Sequence, residues 1–444
     1  MRAFVCYCLR SVNKRKILVF AHVPPPHHGQ SVMVQVLLEG LRADSRFEVH
    51  HVDARVSDDL EDVGSFRPQK FVRLFKCVLQ SWWIRLRYGR MEFYYVPAPA
   101  KRSAILRDWV VMALCRPLFP ELILHWHAYG LGEWAAAGND WQRKLTRLAL
   151  GKADLSIVLN DYNARDAEVF APKRIEVVPN GIPDQFPDYE EGLRARREDR
   201  AIRLRQLGLR CDKEDLEIVR FLFLGHLIES KGVFVAIEAT RLANEELRSK
   251  NAGWRAHLDL AGSCASGEEK ARVLAAVDKA NKISHGWGKM GEDKSARLAD
   301  ARTGGDALSR VTPAHGGFVP EELRAKGEGA MIELAGFLDS GQKKSALEKA
   351  DCLVFPTFYE SEAQPLVLLE AMSAGLPIIT TSWRGVAEVL PQGYPAPATP
   401  KSATDCADRM MRIAEHCRSN DLRRQFTEHF TQQRHVSSLL ARLC

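Results

Sequence analysis

The chain has 444 residues, 46% of them hydrophobic and 27% charged, with a formal net charge of +7. That length exceeds one ordinary core and suits two domains of roughly 200 residues each, while the mixed composition excludes a disordered or fibrous protein. So modest an excess of cations is no argument for nucleic acid, and no segment offers the roughly 18 uncharged apolar residues that cross a bilayer.

Residues 1–15 read as an N-terminal extension whose apolar run, Ala3 to Leu9, is too short for a signal-peptide core. Ile17–Phe20 is the first strand, followed by the Pro24-Pro25-Pro26 loop and a helical pattern opening at Gly29-Gln30-Ser31. His27 and His28 receive no role, and the acidic group Asp58, Asp59, Glu61 and Asp62 reads as a solvated loop. Short apolar runs recur at Phe93–Val96, Leu122–Leu124, Ser156–Leu159 and Ile175–Val178, with helical stretches such as Arg143–Leu150 between them. Strands alternating with helices predict a parallel, doubly wound sheet. Dense charge from Asp184 to Asp215 marks a junction, placing a first domain at 16–200 and a second at 201–400. The second repeats the pattern: strands at Val219–Leu224, Leu258–Ala261, Ile332–Ala335, Leu353–Phe355 and Pro377–Thr380, with helices at Val233–Leu242 and Pro365–Ala374. The charged stretch at about 265–330, including a helical Glu268–Lys282, reads as a surface insertion, and residues 401–444 as helices packing back towards the first domain. The fold class is α/β, two doubly wound Rossmann-like domains facing a cleft. Ten cysteines without a C-x-x-C pair indicate neither a zinc site nor a disulfide framework, and point to reduced thiols in a cytoplasmic protein.

The segment from Asp351 contains Glu362-Ala363-Gln364-Pro365-Leu366, then Glu370-Ala-Met-Ser-Ala-Gly-Leu-Pro377. It resembles the E-x7-E signature of family-four retaining glycosyltransferases, with Glu362 and Glu370 at the two glutamate positions. Phe223-Leu224-Gly225-His226 with Glu229-Ser230-Lys231-Gly232 is similar to that family's phosphate-contact segment. Val178-Pro-Asn-Gly-Ile182 is similar to the end of its first domain, and Leu124-His-Trp-His-Ala-Tyr-Gly130 to its histidine-bearing strand end. The resemblance covers roughly Lys16 to the C-terminus, with the insertion as the main departure. It implies the GT-B architecture and a metal-independent hexosyltransferase that moves a sugar from a nucleotide-diphosphate sugar to an acceptor hydroxyl with retention. These motifs do not specify the acceptor; a lipid-linked or polysaccharide glycan is expected if the basic stretch from Arg67 to Arg116 docks on a membrane. A nucleotide-sugar epimerase on the same fold, or a non-catalytic sugar-nucleotide-binding homologue, are the alternatives; the absence of a Gly-x-Gly-x-x-Gly after the first strand argues against a dehydrogenase.

A helix beginning near Pro365 aims its N-terminal amides and positive dipole end at the preceding loop, an anion site suited to a diphosphate, and proline at the first helical position sacrifices no intrahelical bond. Ala363, Gln364, Pro365 and Leu366 are accordingly assigned to donor binding. The resemblance implies that Glu362 holds a sugar hydroxyl and Glu370 accepts from ribose hydroxyls, and positions before the helix and on its second turn permit both roles; the alternative is two solvated glutamates beside an amphipathic helix. Lys231 sets an ammonium against the leaving diphosphate and Gly232 lets backbone come close. His226 stands where many relatives of this family carry arginine, so a second fixed cation is in question there. His127 lies at a strand's carboxyl end, where open α/β sheets bind ligands, and the family resemblance implies a place beside the anomeric carbon, with Glu362 as the catalytic pair; a buried structural histidine is the alternative. His125 is expected on the opposite face, and Gly29 is expected to give close backbone approach to phosphates or acceptor. No cofactor or metal is called for.

Residues 67–116 carry eleven cations, from Arg67 to Arg116, against Glu92 and Asp108. Lys70, Arg73 and Lys76 recur at helical spacing beside Phe71, Leu74, Phe75, Val78, Trp82 and Trp83. Such a helix suits an anionic membrane surface, hence a peripheral protein on the cytoplasmic leaflet; the alternative is an ordinary amphipathic helix packed on its own domain.

Overall fold

The computed structural model describes residues 14–25, 29–55, 68–206, 216–284 and 331–444, and of 68–71 and 283–284 the backbone only. The expectations for His27, His28, the acidic group at 58–62, Arg67 and residues 285–330 fall outside these. The chain divides into two compact units. The first comprises the chain through Pro183 with Glu360–Leu366 and Glu428–Cys444; the second comprises Asp184–Tyr359 and Val367–Thr427.

The first unit runs β1 (Arg15–Ala21), α1 (Gly29–Ala43), β2 (Phe47–Asp53), α2 (Pro68–Tyr88), β3 (Glu92–Tyr95), α3 (Arg102–Cys115), β4 (Leu122–His125), α4 (Leu131–Ala137), α5 (Asp140–Leu150), β5 (Leu155–Val158), α6 (Asp161–Glu168) and β6 (Ile175–Val177). Its six strands lie in the order β2-β1-β3-β4-β5-β6, all parallel. Both faces of β1 are buried, which is why Ile17–Phe20 is continuously apolar rather than alternating. Leu18, Phe20, Phe93 and Leu124 pack on the side covered by α2, α3 and α5, while Ile17, Val19, Tyr94 and Ile123 pack on the side of α1.

The second unit begins with α7 (Leu193–Gln206), then β7 (Glu217–Leu224), α8 (Val233–Ser249), β8 (Trp254–Ala261), α9 (Gly267–Ser284), β9 (Ile332–Gly336), α10 (Ser340–Lys349), β10 (Cys352–Phe355), α11 (Leu366–Ser373) and β11 (Ile378–Thr380). Short helices α12 (Ala403–Met411), α13 (Ile413–His416) and α14 (Ser419–Gln425) follow. The strand order is β11-β10-β7-β8-β9, again parallel.

Three sequence boundaries move. The junction falls at 183/184 and not near 200, because α7 is built into the second unit: the buried Arg197 donates to the carbonyls of Leu347, Ala350 and Ala374. Of residues 401–444, Glu428–Cys444 belong to the first unit, where α15 (Gln432–Leu443) buries Leu439 and Leu443 beside α1 and β1, whereas the residues before Glu428 stay with the second. Nor is the whole of 265–330 a surface excursion. Helix α9 is a core crossover, with Val273, Val277 and Ala280 buried, and Asn281 locks it to the edge strand. The Asn281 amide donates to the Ile332 carbonyl at 3.0 Å and accepts from the Met331 and Ile332 amides, each at 3.1 Å. The charged exterior of α9 concealed this apolar side. Asn281→Leu should therefore cost about 2–3 kcal/mol, because three backbone groups lose their partner at a site leucine cannot satisfy; the urea midpoint measures it, and wild-type stability would mean that those groups find other partners.

Candidate functional site

In the second unit, β7 ends at Leu224, and Gly225 and His226 follow at its carboxyl end. A turn at Glu229–Lys231 then leads into α8 through Gly232, whose φ of 86° is left-handed. A Cβ there would lie 2.2 Å from the Pro356 carbonyl oxygen, so only glycine allows the two segments to approach. The Phe358 amide donates to the Ser230 carbonyl at 2.8 Å and fixes the same approach. No side chain caps α8, so its first-turn amides and dipole are available to an anion. Lys231, half-buried, holds its ammonium 4.8 Å from the Tyr359 ring centre and 5.7 Å from that of Phe355. These aromatic faces steady the cation without neutralising it. His226 Nδ1 lies 3.3 Å from Ser263 Oγ, and burial together with the Lys231 charge pushes its pKa down. At neutral pH it is an uncharged imidazole that also hydrogen-bonds the Ser263 backbone. It is no substitute for a fixed guanidinium charge.

Glu370 sits on the second turn of α11, as its spacing predicts, and accepts from Lys343 Nζ at 2.6 Å. Burial raises its pKa while the lysine opposes that shift. Lys343, on α10, was not singled out from sequence: it lies 27 residues away, and the only local hint was a lysine in a helix that precedes the motif. Pro365 is the residue before the helix, not its first residue.

The loop Glu360–Leu366 groups with the first unit. Glu362 is 9% exposed there. The Tyr129 amide donates to the Ser361 carbonyl at 3.2 Å, and Asn160 Nδ2 donates to the Ala363 carbonyl at 2.9 Å. Gln364 Oε1 accepts from the Asn180 amide at 2.6 Å. The side chain of Gln364 and the carbonyl of Ala363 therefore hold the loop, so a donor role for these residues falls to their amides. Asn160 also caps α6 through the Asn163 amide at 2.7 Å; its place after the β5 strand was the sequence signal for a cap, but not for this second contact. Gly29 is exposed, and a Cβ there would meet Leu366 at an ordinary 3.6 Å, so this position does not demand glycine for close packing.

His127 lies just past β4, half-buried, with its ring centre 4.0 Å from that of His125. The two histidines therefore share a face, contrary to the expectation above, because residues two apart along a strand point the same way. His125 is fully buried, and its Nδ1 lies 2.6 Å from Tyr94 Oη; the His435 ring from α15 lies 6.5 Å away. His435 Nδ1 donates to the Pro179 carbonyl at 2.6 Å, leaving Nε2 as a lone pair without a partner among the described residues. Protonation would create a buried, unpartnered N–H, and burial pushes this pKa down to about 4. Since an unfolded histidine titrates near 6.5, the neutral form's contribution is complete above that pH and is lost as pH falls towards 4. We expect the first unit to lose about 2 kcal/mol from His435 between pH 7 and pH 5. In His435→Leu the drop measured by urea unfolding should shrink by about that amount; an unchanged acid slope would assign it to other groups.

Asp166 of α6 organises the segment after His127. Its carboxylate accepts from the four successive amides of Gly130, Leu131, Gly132 and Glu133 at 2.7–3.1 Å, capping α4 from outside. After β6, Gly181 is required because a Cβ would lie 2.4 Å from the Thr431 carbonyl oxygen where the C-terminal segment passes. Elsewhere in the second unit, His257 and Asp259 of β8 and Glu333 of β9 bring one ligand atom each within 4.8 Å of one another and could hold a metal. The sequence reading did not single them out.

Residues 313–416 match the family described as Glycosyl transferases group 1. Sulfoquinovosyl transferase SQD2 of Arabidopsis thaliana is 27% identical over 127 residues, 28% of this chain and 24% of that protein. The putative colanic acid biosynthesis glycosyltransferase WcaL of Salmonella typhimurium is 30% identical over 92 residues, 20% of this chain and 22% of that protein. The matches thus span about a quarter of each relative's length. Sucrose-phosphate synthase from Thermosynechococcus elongatus superimposes with a TM-score of 0.63 at 17% identity, covering 97% of this chain and 99% of that one. Anabaena HepE in complex with UDP-glucose gives 0.57 at 13% identity, covering 96% and 99%. A UDP-forming trehalose-phosphate synthase from Burkholderia xenovorans in complex with glucose-6-phosphate gives 0.58 at 13% identity, covering 96% and 99%. The fold is the two-unit GT-B architecture.

Proposed function

We propose that this protein is a retaining glycosyltransferase that moves a sugar from a nucleotide-diphosphate sugar to an acceptor hydroxyl. The observation that carries the reading is the half-buried Glu370 on α11, eight residues after Glu362, in a unit whose β7–α8 turn presents Lys231, His226 and uncapped helix amides. Retention and the roles of the two glutamates rest on the E-x7-E resemblance. In this reading Glu370 accepts from ribose hydroxyls, Glu362 and His127 hold the sugar, and Lys231 with the α8 amides opposes the charge of the departing diphosphate. The bond from the anomeric carbon to the phosphate oxygen breaks, the bond to the acceptor oxygen forms, and the acceptor proton leaves with the diphosphate. UDP-sugars are the first donors to try, because HepE is bound to UDP-glucose and the Burkholderia synthase is UDP-forming. A polysaccharide or lipid-linked acceptor is supported by the partial match to WcaL. The free thiols of Cys77, Cys115, Cys352, Cys406 and Cys417, all buried, favour a cytoplasmic setting.

The experiment is a screen of UDP-, GDP- and ADP-sugars by thermal shift, in which a ligand at 100 times its Kd stabilises by about 2.7 kcal/mol. Acceptor-dependent release of nucleoside diphosphate is then measured with the ligand found. Release should persist in EDTA, since Lys231 and helix amides supply the positive charge. Epimerised sugar without release would replace this reading with an isomerase, binding without turnover would leave a carrier, and loss on chelation restored by a divalent ion would overturn the metal-independent mechanism.

A further inference from the structure

Helix α2 has two apolar faces. Leu74, Cys77, Val78 and Ile84 enter the core of the first unit, as an amphipathic helix requires. Val72, Phe75, Leu79, Trp83 and Leu86 form a second stripe at intervals of three and four residues, and all five are exposed, Trp83 by 59% and Leu86 by 81%. A surface helix needs only one such face. The second stripe continues across neighbouring helices: Leu106 on α3 and Leu145 and Leu148 on α5 are exposed as well, Leu148 by 75%. The three helices are locked side by side, since Trp82 Nε1 donates to the Leu114 carbonyl at 3.0 Å and Trp109 Nε1 donates to Thr146 Oγ1 at 3.1 Å. All three cover the same side of the first sheet, so their outer sides form one face. Eleven of the fifteen large hydrophobic side chains exposed among the described residues lie between Val72 and Leu148. An apolar groove of about 530 Å³ between α2 and α3, lined by Phe75, Val78, Val110 and Leu114 among others, adds depth to it.

Charge selects the occupant. Residues 72–152 hold 13 Lys and Arg against 5 Asp and Glu. Glu92 is buried and paired with Arg15, outside this stretch, and Asp108 is buried and paired with Arg107, which leaves twelve cations against three acids. Arg73, Lys76 and Arg87 on α2 and Lys144 and Arg147 on α5 are exposed around the apolar stripe. A second copy of this chain would bring the same positive face against itself, which like-charge repulsion disfavours. Nucleic acid would match the cations but not the aliphatic stripe. An anionic bilayer surface matches both, taking the side chains into its interface and the cations at its headgroups. Among the described residues no helix is long and apolar enough to cross a membrane.

We infer that the α2–α3–α5 face is a peripheral membrane-docking surface that seats on anionic lipid, with Phe75, Trp83 and Leu86 entering the interface and the groove taking part of an acyl chain. The docking surface belongs to the first unit alone and does not depend on the transfer reaction.

The test is co-sedimentation of the full chain with phosphatidylcholine vesicles, with and without phosphatidylglycerol, at low and high salt. Wild-type protein should pellet with the anionic vesicles, pellet poorly with the neutral ones and be released by salt. Phe75→Ser with Trp83→Ser and Leu86→Ser should weaken partitioning at least about tenfold, as should Lys76→Gln with Arg87→Gln, Lys144→Gln and Arg147→Gln, since each exposed cation contributes near such a surface. Circular dichroism and the thermal midpoint establish that both variants remain folded, and donor binding by thermal shift reports separately on the transfer site. Binding indifferent to lipid charge and to both variants would overturn the inference. So would a concentration-dependent dimer that the serine variant dissolves while vesicles bind neither protein.

Discussion

Glu370→Gln is expected to lower kcat/KM by about 10²-fold or more, and Glu362→Gln by a similar factor, while the thermal midpoint moves little. In Glu370→Gln the amide keeps the shape of the side chain and removes its charge, so a ribose hydroxyl loses a charge-assisted acceptor; about 3 kcal/mol made in the transition state corresponds to that factor. The carboxylate is held in place by Lys343 at 2.6 Å, which restricts its rotamers before any ligand arrives. Lys343→Met should therefore weaken donor binding less than Glu370→Gln but in the same direction, because it loosens the acceptor without deleting it. Initial rates of nucleotide release over a range of donor concentrations measure all three, and near-normal turnover in both glutamine variants would remove these glutamates from the site.

Arg197→Met should cost about 3 kcal/mol or more of stability in the second unit. The guanidinium is 6% exposed and donates to the carbonyls of Leu347 at 2.6 Å, Ala350 at 2.5 Å and Ala374 at 3.3 Å. It thus closes the C-terminal ends of α10 and α11, where a cation also meets the negative ends of the helix dipoles. Burial pushes its pKa down to about 10, which leaves it charged at neutral pH. Methionine fills much of the volume but leaves three carbonyls without a donor. Arg197→Lys should recover only part of the loss, since one ammonium cannot reproduce a planar fork aimed at three acceptors. Urea midpoints rank the three proteins, and equal midpoints for wild type and Arg197→Met would mean that other donors replace the guanidinium.

The sequence by itself determined the alternation of strands and helices, the two doubly wound sheets and the position of Glu370 on a helix. These were legible because each is written in neighbouring residues: strands buried on both faces need runs such as Ile17–Phe20 and Phe221–Leu224, and an eight-residue spacing reaches the second turn of one short helix. The basic and aromatic character of α2 was legible too, but not that Val72, Phe75 and Trp83 form a second stripe turned away from the core, since the helical period shows which residues share a face and not what covers it. Only the tertiary structure decided the rest. Asp166 capping α4, Lys343 meeting Glu370, Asn281 closing the edge of β9, Gln364 holding Asn180 and His435 coming to lie beside His125 each join residues between about 27 and 310 positions apart. Buried polar groups must be paired, but that rule leaves the partner open. The choice depends on which distant backbone and side-chain atoms the packed sheets bring within hydrogen-bonding distance, and no local period in the chain records it.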